Sequence, residues 1–150
     1  MRAVIQRVSS AALIANGDLM GTIGAGFVVL IGIEETDEQP DADWVIEKIS
    51  RMRIFSDEAG KMNLSLEEVS GSLMIISQFT LHASTKKGNR PSFIKAARPE
   101  QAIPLYEYTL RKIKSSNSCQ VVNGIFGADM QISLVNDGPV TILLDSKNKE

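Results

Sequence analysis

Ser77-Gln78-Phe79-Thr80-Leu81 brings hydroxyls and a carboxamide to the end of an apolar run, Leu73-Met74-Ile75-Ile76, that reads as a buried strand. Polar groups arriving where a core strand should stay apolar break the local pattern, and such breaks concentrate at functional sites. A second break, Asn136-Asp137-Gly138-Pro139-Val140-Thr141, lies between two further strand-like runs. The two stretches are expected to face each other and form an active site.

The residue types narrow the chemistry. His82 follows Thr80 by two positions, the same-face spacing of a strand, so a Thr–His nucleophile pair is the first hydrolase to weigh. Adjacent same-face residues rarely align a hydroxyl oxygen with an imidazole nitrogen, and an exposed or loop-entry histidine is the simpler reading. No Gly-x-Ser-x-Gly elbow is present. Cys119, the only cysteine, lacks a plausible base and reads as an inert core or strand residue. A lone cysteine makes no intrachain disulfide, and one Cys with one His makes no ordinary zinc site. The expected chemistry uses no metal and no other cofactor.

Charge is more informative by place than by sum. The net charge is −2, yet no acidic residue occurs between Glu68 and Glu100, where Lys86, Lys87, Arg90, Lys95 and Arg98 all fall. Two readings are open: a solvated loop, or a patch that receives nucleic-acid phosphates.

These residues need a scaffold, and 150 residues with 43% apolar content suffice for a single domain spanning 1–150. No apolar run reaches the ~18 residues of a membrane span. Met1 to Arg7 lacks a signal-peptide layout, and the single cysteine, with no disulfide framework, leads to the expectation of a cytoplasmic location. Residues 3–8 alternate as a strand. Residues 11–14 and 19–23 flank Asn16-Gly17, a hairpin turn signal. Phe27 to Ile33 reads as a central strand in which Gly32 marks a bulge or a close backbone approach.

Ala42, Val45, Ile49 and Met52 keep helical spacing after an entry at Pro40, with Trp44 as a packing residue. Arg53-Ile54-Phe55 reads as a short strand and Asp57 to Lys61 as a turn. The next strand is expected to run from Leu73 through Phe79. A second helix opens at Pro99-Glu100, with Ile103, Tyr106, Leu110 and Ile113 as its buried stripe; Pro104 is tolerable within the first turn. Short strands are expected at 120–122, 130–135 and 140–144. The sum, seven to nine strands and two long helices, predicts an α+β fold: a curved, barrel-like sheet with the helices packed on it.

Taken singly, Gly138-Pro139 is a plain turn and Arg7 a strand-end surface charge. Taken together, Ser77 to Leu81, Lys87-Gly88-Asn89-Arg90-Pro91-Ser92-Phe93 and Asn136 to Thr141 resemble the D-aminoacyl-tRNA deacylases, first known as D-tyrosyl-tRNA(Tyr) deacylases. Ala3 to Val8, Arg53-Ile54-Phe55 with Gly60-Lys61-Met62-Asn63, and Phe126 to Gln131 also fit. The resemblance covers essentially the whole chain and is closest to bacterial members.

The resemblance implies a homodimeric hydrolase that cleaves the ester between a D-amino acid, or glycine, and the 3′-terminal adenosine of tRNA. It implies a catalytic stretch at Ser77, Gln78, Phe79 and Thr80. It also implies a cis Gly138-Pro139 pair inserted into the neighbouring subunit's active site, with Arg7 holding the pair. Lys86, Lys87 and Arg90 become candidate tRNA contacts, and Phe79 or Phe93 a stacking surface for the terminal adenine. The rival readings are a non-catalytic RNA-binding module, and a small-molecule esterase or D-amino-acid peptidase indifferent to tRNA.

Overall fold

A computed structural model describes residues 1–150. Eight strands and two α-helices follow one another as β1 (Arg2–Ala15), β2 (Asp18–Ile23), β3 (Gly26–Gly32), α1 (Gln39–Arg51), β4 (Arg53–Ser56), β5 (Met62–Ser65), β6 (Ser72–Ser77), α2 (Pro99–Ser116), β7 (Val121–Asn123) and β8 (Met130–Asp145). The α+β expectation holds, with the strand count inside the expected range.

β1 organises the sheet. One edge pairs antiparallel with β8 along its whole length; the other pairs with β3 at residues 2–8 and with β2 at residues 11–15. β6 lies parallel to β3, and β7 parallel to β6. Asn16 and Gly17, at φ 51° and 90°, make the tight turn that returns β2 along β1. β2 then curls toward β7: the Gln120 side-chain amide donates to the Thr22 carbonyl at 3.2 Å. The sheet is thereby almost closed. β4 and β5 form a separate hairpin.

Period-two alternation gives the sheet two cores. Phe27, Val29 and Ile31 of β3 join Ile5, Leu73 and Ile75 beneath the helices. Val28 joins Val8, Leu13, Met74 and Ile76 inside the barrel. Burying each such side chain contributes roughly 1.5–3 kcal/mol. Both long strands cross between the cores. β1 passes from Ala3 and Ile5 in the first to Val8, Ala11 and Leu13 in the second, and β8 from Met130, Ile132 and Leu134 to Val140, Ile142 and Leu144. The sequence reading split each of these strands in two because the pattern breaks at this crossing.

The helices differ from expectation in detail. α1 buries Ala42, Val45, Ile46 and Ile49, and Met52 falls just past its end. α2 buries Ala102, Leu105, Tyr106, Thr109 and Ile113. Ile103 and Leu110 are only half-buried, and Ala102, Leu105 and Thr109 take the buried positions beside them. Pro104 lies in the second turn rather than the first, on the exposed face, where the missing N–H leaves one carbonyl to solvent. Trp44 packs half-buried against the first core, with the Lys48 and Lys149 ammonium groups 5.7 and 5.2 Å from its ring.

Candidate active site

β6 ends at Ser77, earlier than the expected Phe79, and the chain folds into a single 3₁₀ turn, Phe79–His82. The cause lies beneath it. Gly32 has no side chain; a Cβ there would stand 2.9 Å from the Gln78 carbonyl oxygen and from Leu81 Cβ, and 3.1 Å from His82 Cδ2. The turn drops into that space, and the Gln78 amide donates to the Ile31 carbonyl at 2.7 Å. This is the close approach that Gly32 suggested.

The turn separates Thr80 from His82. At three residues per turn, positions i and i+2 lie about two-thirds of a turn apart. Thr80 is exposed, and its hydroxyl accepts from Gln78 Nε2 at 2.5 Å. His82 points inward at 2% exposure, with no hydrogen-bond partner for Nε2. The strand-based Thr–His pair, and an exposed His82, are therefore both overturned. The first bond of the turn runs from Leu81 N–H to the Gln78 carbonyl at 3.3 Å. The Phe79 and Thr80 amides precede it and have no carbonyl within the turn to bond.

A groove of about 240 Å³ opens beside this turn, lined on one side by Ile76, Ser77, Gln78 and Phe79 and on the other by Phe126, Gly127, Ala128, Met130 and Ile132. Phe79 is 52% exposed, and its ring meets Phe93 edge-on at 5.1 Å. The far wall had no assigned role in the sequence reading, although Phe126 to Gln131 was among the stretches that carried the family resemblance. Tyr106 supports the groove from α2, donating its buried hydroxyl to the Ile75 carbonyl at 3.0 Å. Burial pushes that hydroxyl's pKa up.

The second stretch is built differently. Gln6 pairs with Thr141 and Val8 with Asn136, so Arg7 alone spans on β1 what Asp137, Gly138, Pro139 and Val140 span on β8. The excess stands out as an exposed loop at the crossing between the two cores. Gly138 has φ +124°, and a Cβ there would come within 3.0 Å of Arg7 Nη2 and of Val140 Cγ2. The Gly138–Pro139 bond is cis.

Arg7 is 7% exposed, so it is no surface charge. Its Nε donates to the Asp137 carbonyl at 3.0 Å and lies 3.2 Å from the Asp137 carboxylate; its Nη1 donates to the Ile54 carbonyl at 2.5 Å. Within one chain the two stretches do not share a cleft: no residue from 136 to 141 lines the groove beside Phe79.

The family model for D-Tyr-tRNA(Tyr) deacylase matches residues 4–145. The chain belongs to this deacylase family. Proteins named D-aminoacyl-tRNA deacylase from Akkermansia muciniphila and Cytophaga hutchinsonii are each 59% identical to it, over the full length of both chains. Among solved structures, a c-Myc DNA unwinding element binding protein superposes with a TM-score of 0.90 at 38% identity, over 97% of this chain and 98% of that one. A probable eukaryotic D-amino acid tRNA deacylase superposes with a TM-score of 0.79 over 95% of this chain and 97% of that one; at 17% identity it speaks for the fold alone.

In this deacylase-family chain the cationic residues lie in a lobe that leaves the Phe79 turn and returns to it. Ser84 and Ser92 close the lobe through paired backbone bonds of 2.8 and 2.9 Å, and Phe93 brings the chain back onto Phe79. Lys86, Lys87 and Arg90 are exposed on it, and none makes an ion pair. Cys119 lies elsewhere, in a cleft of about 340 Å³ between residues 66–72 and 116–120. Burial pushes its thiol pKa up, away from the nucleophilic thiolate. No three His, Cys, Asp or Glu side chains come together as a metal cluster, and no helix is long and apolar enough to cross a membrane.

Proposed function

We propose that this protein hydrolyses the ester of D-aminoacyl-tRNA, releasing a free D-amino acid and tRNA and removing mischarged tRNA before translation. The observation that carries the reading is the family match across residues 4–145, together with full-length relatives named for that activity. The reaction breaks the bond between the aminoacyl carbonyl carbon and the ribose 3′ oxygen. Water attacks the carbonyl carbon, the carbonyl oxygen becomes the oxyanion of a tetrahedral intermediate, and the 3′ oxygen leaves with a proton.

An aminoacyl ester is already activated, so donors aimed at the oxyanion and good positioning do most of what is needed. The Phe79 and Thr80 amides suit the donor role. The Thr80 hydroxyl and the Gln78 carboxamide, already bonded to each other, support that backbone rather than attack, and the substrate's own 2′-hydroxyl helps carry the proton. The groove between Phe79 and Phe126 suits the terminal adenosine. Lys86, Lys87 and Arg90, free of ion pairs beside it, suit the phosphates of an unpaired RNA end.

The Asp137–Val140 loop lines no part of its own chain's groove beside Phe79, which supports a homodimer in which each loop enters its neighbour's groove. Val135 and Leu143, on either side of the loop, are 57% and 77% exposed and fit a surface that a second copy covers. In the shared site the Gly138 and Pro139 carbonyls accept from the substrate amino group. An L side chain is then driven into the wall and a D side chain points outward. Rejection by clash needs no contact with the side chain, so diverse D-amino acids pass. Glycyl-tRNA, with nothing to clash, passes too.

The test is amino-acid release from matched D-tyrosyl-tRNA and L-tyrosyl-tRNA, with chelator present. Fast loss of the D ester alone is the expected result. Loss of neither ester with tRNA still bound would favour a non-catalytic RNA-binding module, a reading in keeping with the nucleic-acid-binding name of the 38%-identical neighbour.

A further inference from the structure

The β4–β5 hairpin carries a sequence motif that the proposed chemistry leaves unused, and its register is irregular in a specific way. Arg53 pairs with Ser65 and Phe55 with Leu64, which leaves Ile54 unpaired on β4; Phe55 pairs with Leu64 and Ser56 with Met62, which leaves Asn63 unpaired on β5. Two opposed bulges thus cancel, and the strands leave the irregularity in the register with which they entered. Bulges free backbone groups from the ladder and re-aim them. Each freed residue is taken by an arginine. The Ile54 carbonyl accepts from Arg7 at 2.5 Å, the Asn63 carbonyl accepts from Arg53 Nε at 2.6 Å, and the Asn63 side-chain oxygen accepts from Arg53 Nη2.

The hairpin is also seated directly under Arg7. Phe55 stacks on Phe27 at 5.0 Å and 16° between planes, and Phe27 is the β3 residue paired with Arg7. Arg7 in turn grips the Asp137 carbonyl at the base of the Gly138-Pro139 loop.

We propose that Arg53 and Asn63 are positioning residues for chiral selectivity. By holding the Asn63 bulge they maintain the compensating Ile54 bulge, whose carbonyl fixes the Arg7 fork and through it the loop. A register shift of one residue reverses strand faces, so losing one bulge returns the Ile54 carbonyl to the ladder and leaves Arg7 without its second acceptor. This rests on the reading that the loop filters chirality.

The experiment pairs a kinetic readout with a structural one. The ratio of D- to L-tyrosyl-tRNA turnover is measured for wild type, N63A, R53K, R7A and the N63A/R7A double variant. Exchange of the Arg7 Nε proton with water is followed by NMR in wild type, N63A and R53K. Loss of a hydrogen-bonded clamp is expected to lower the D/L ratio about five-fold in N63A, with D turnover itself within about two-fold, and to speed Arg7 Nε exchange by a similar factor. N63A should add nothing to R7A, since both act through one contact.

Unchanged Arg7 exchange in N63A and R53K overturns the brace whatever the kinetics. So does a ratio that falls in R7A and stays at the wild-type value in N63A, or a fully additive double variant. Faster Arg7 exchange with an unchanged ratio even in R7A leaves the brace standing and overturns the chirality reading of the loop. R53K keeps the charge and most of the packing, and serves if N63A fails to fold.

Discussion

The Phe79–His82 turn ends one strand and the Asp137–Val140 loop bulges out of another, and they are held by different forces. The turn rests on shape. It occupies the space left by Gly32, His82 plugs it from below, and its outward Thr80 hydroxyl and Gln78 carboxamide bond to each other. The loop rests on one cation. It is exposed from Asp137 to Pro139, and the buried Arg7 fork joins its base to a second strand pair. A site held by packing should fail when atoms are added beneath it. A site held by a charged fork should fail when the fork is removed.

The largest test of that contrast is Arg7→Ala, expected to cost about 3 kcal/mol in chemical denaturation, because it leaves two carbonyls and the Asp137 carboxylate without their partner. Arg7→Lys should recover less than half of that, since an ammonium cannot reproduce the planar fork. Full recovery by lysine would mean that the loop needs only a charge.

Gly32→Ala comes next. The added methyl meets the Gln78 carbonyl at 2.9 Å, and overpacking of this kind costs about 1–3 kcal/mol. Loss of D-ester turnover should exceed what the thermal melt accounts for, because the turn itself is lifted. Turnover that survives in a variant of lowered melting temperature would show that the turn does not need its seat.

Thr80→Ala should lower D-ester turnover by no more than about ten-fold, the scale of one supporting hydrogen bond. Abolished turnover with fold and tRNA binding intact would make Thr80 the attacking group. The smallest effect concerns the lobe. Replacing Lys86, Lys87 and Arg90 together by alanine should reduce the slope of log affinity for tRNA against log salt by about 2, at ~0.7 per phosphate on a single strand. A slope unchanged from wild type would leave the lobe without a role in binding.

Much of this architecture was legible in the residues because it follows from alternation and spacing: the two helices, the central Phe27–Ile33 strand, the Asn16-Gly17 hairpin. The elements misread were those where tertiary contact overrides local pattern. Phe79 to His82 continues an apolar strand pattern and becomes a turn because a glycine 47 residues earlier leaves it room. Taken alone, Arg7 reads as a surface charge, because two of its acceptors are carbonyls that leave no mark on the sequence; only the family resemblance gave it the role of holding the Gly138-Pro139 pair. α2 buries a stripe that includes Ala102 and Thr109, whose small or polar side chains do not read as core. The Phe126–Ile132 wall of the groove went unassigned because only the near-closure of the barrel brings it opposite Phe79.

One separation has a genetic consequence. The groove beside Phe79 and the loop gripped by Arg7 belong to the same chain without meeting in it. In the proposed dimer, where each loop works in its neighbour's groove, two broken copies can repair each other. A chain carrying Arg7→Ala keeps a sound groove, and a chain carrying Phe79→Ala keeps a sound loop. Every mixed pair then assembles one intact site and one doubly broken one. Cells or refolding mixtures containing both alleles should regain D-selective ester hydrolysis that neither allele supports alone, and a double variant in a single chain should never be rescued by its own kind.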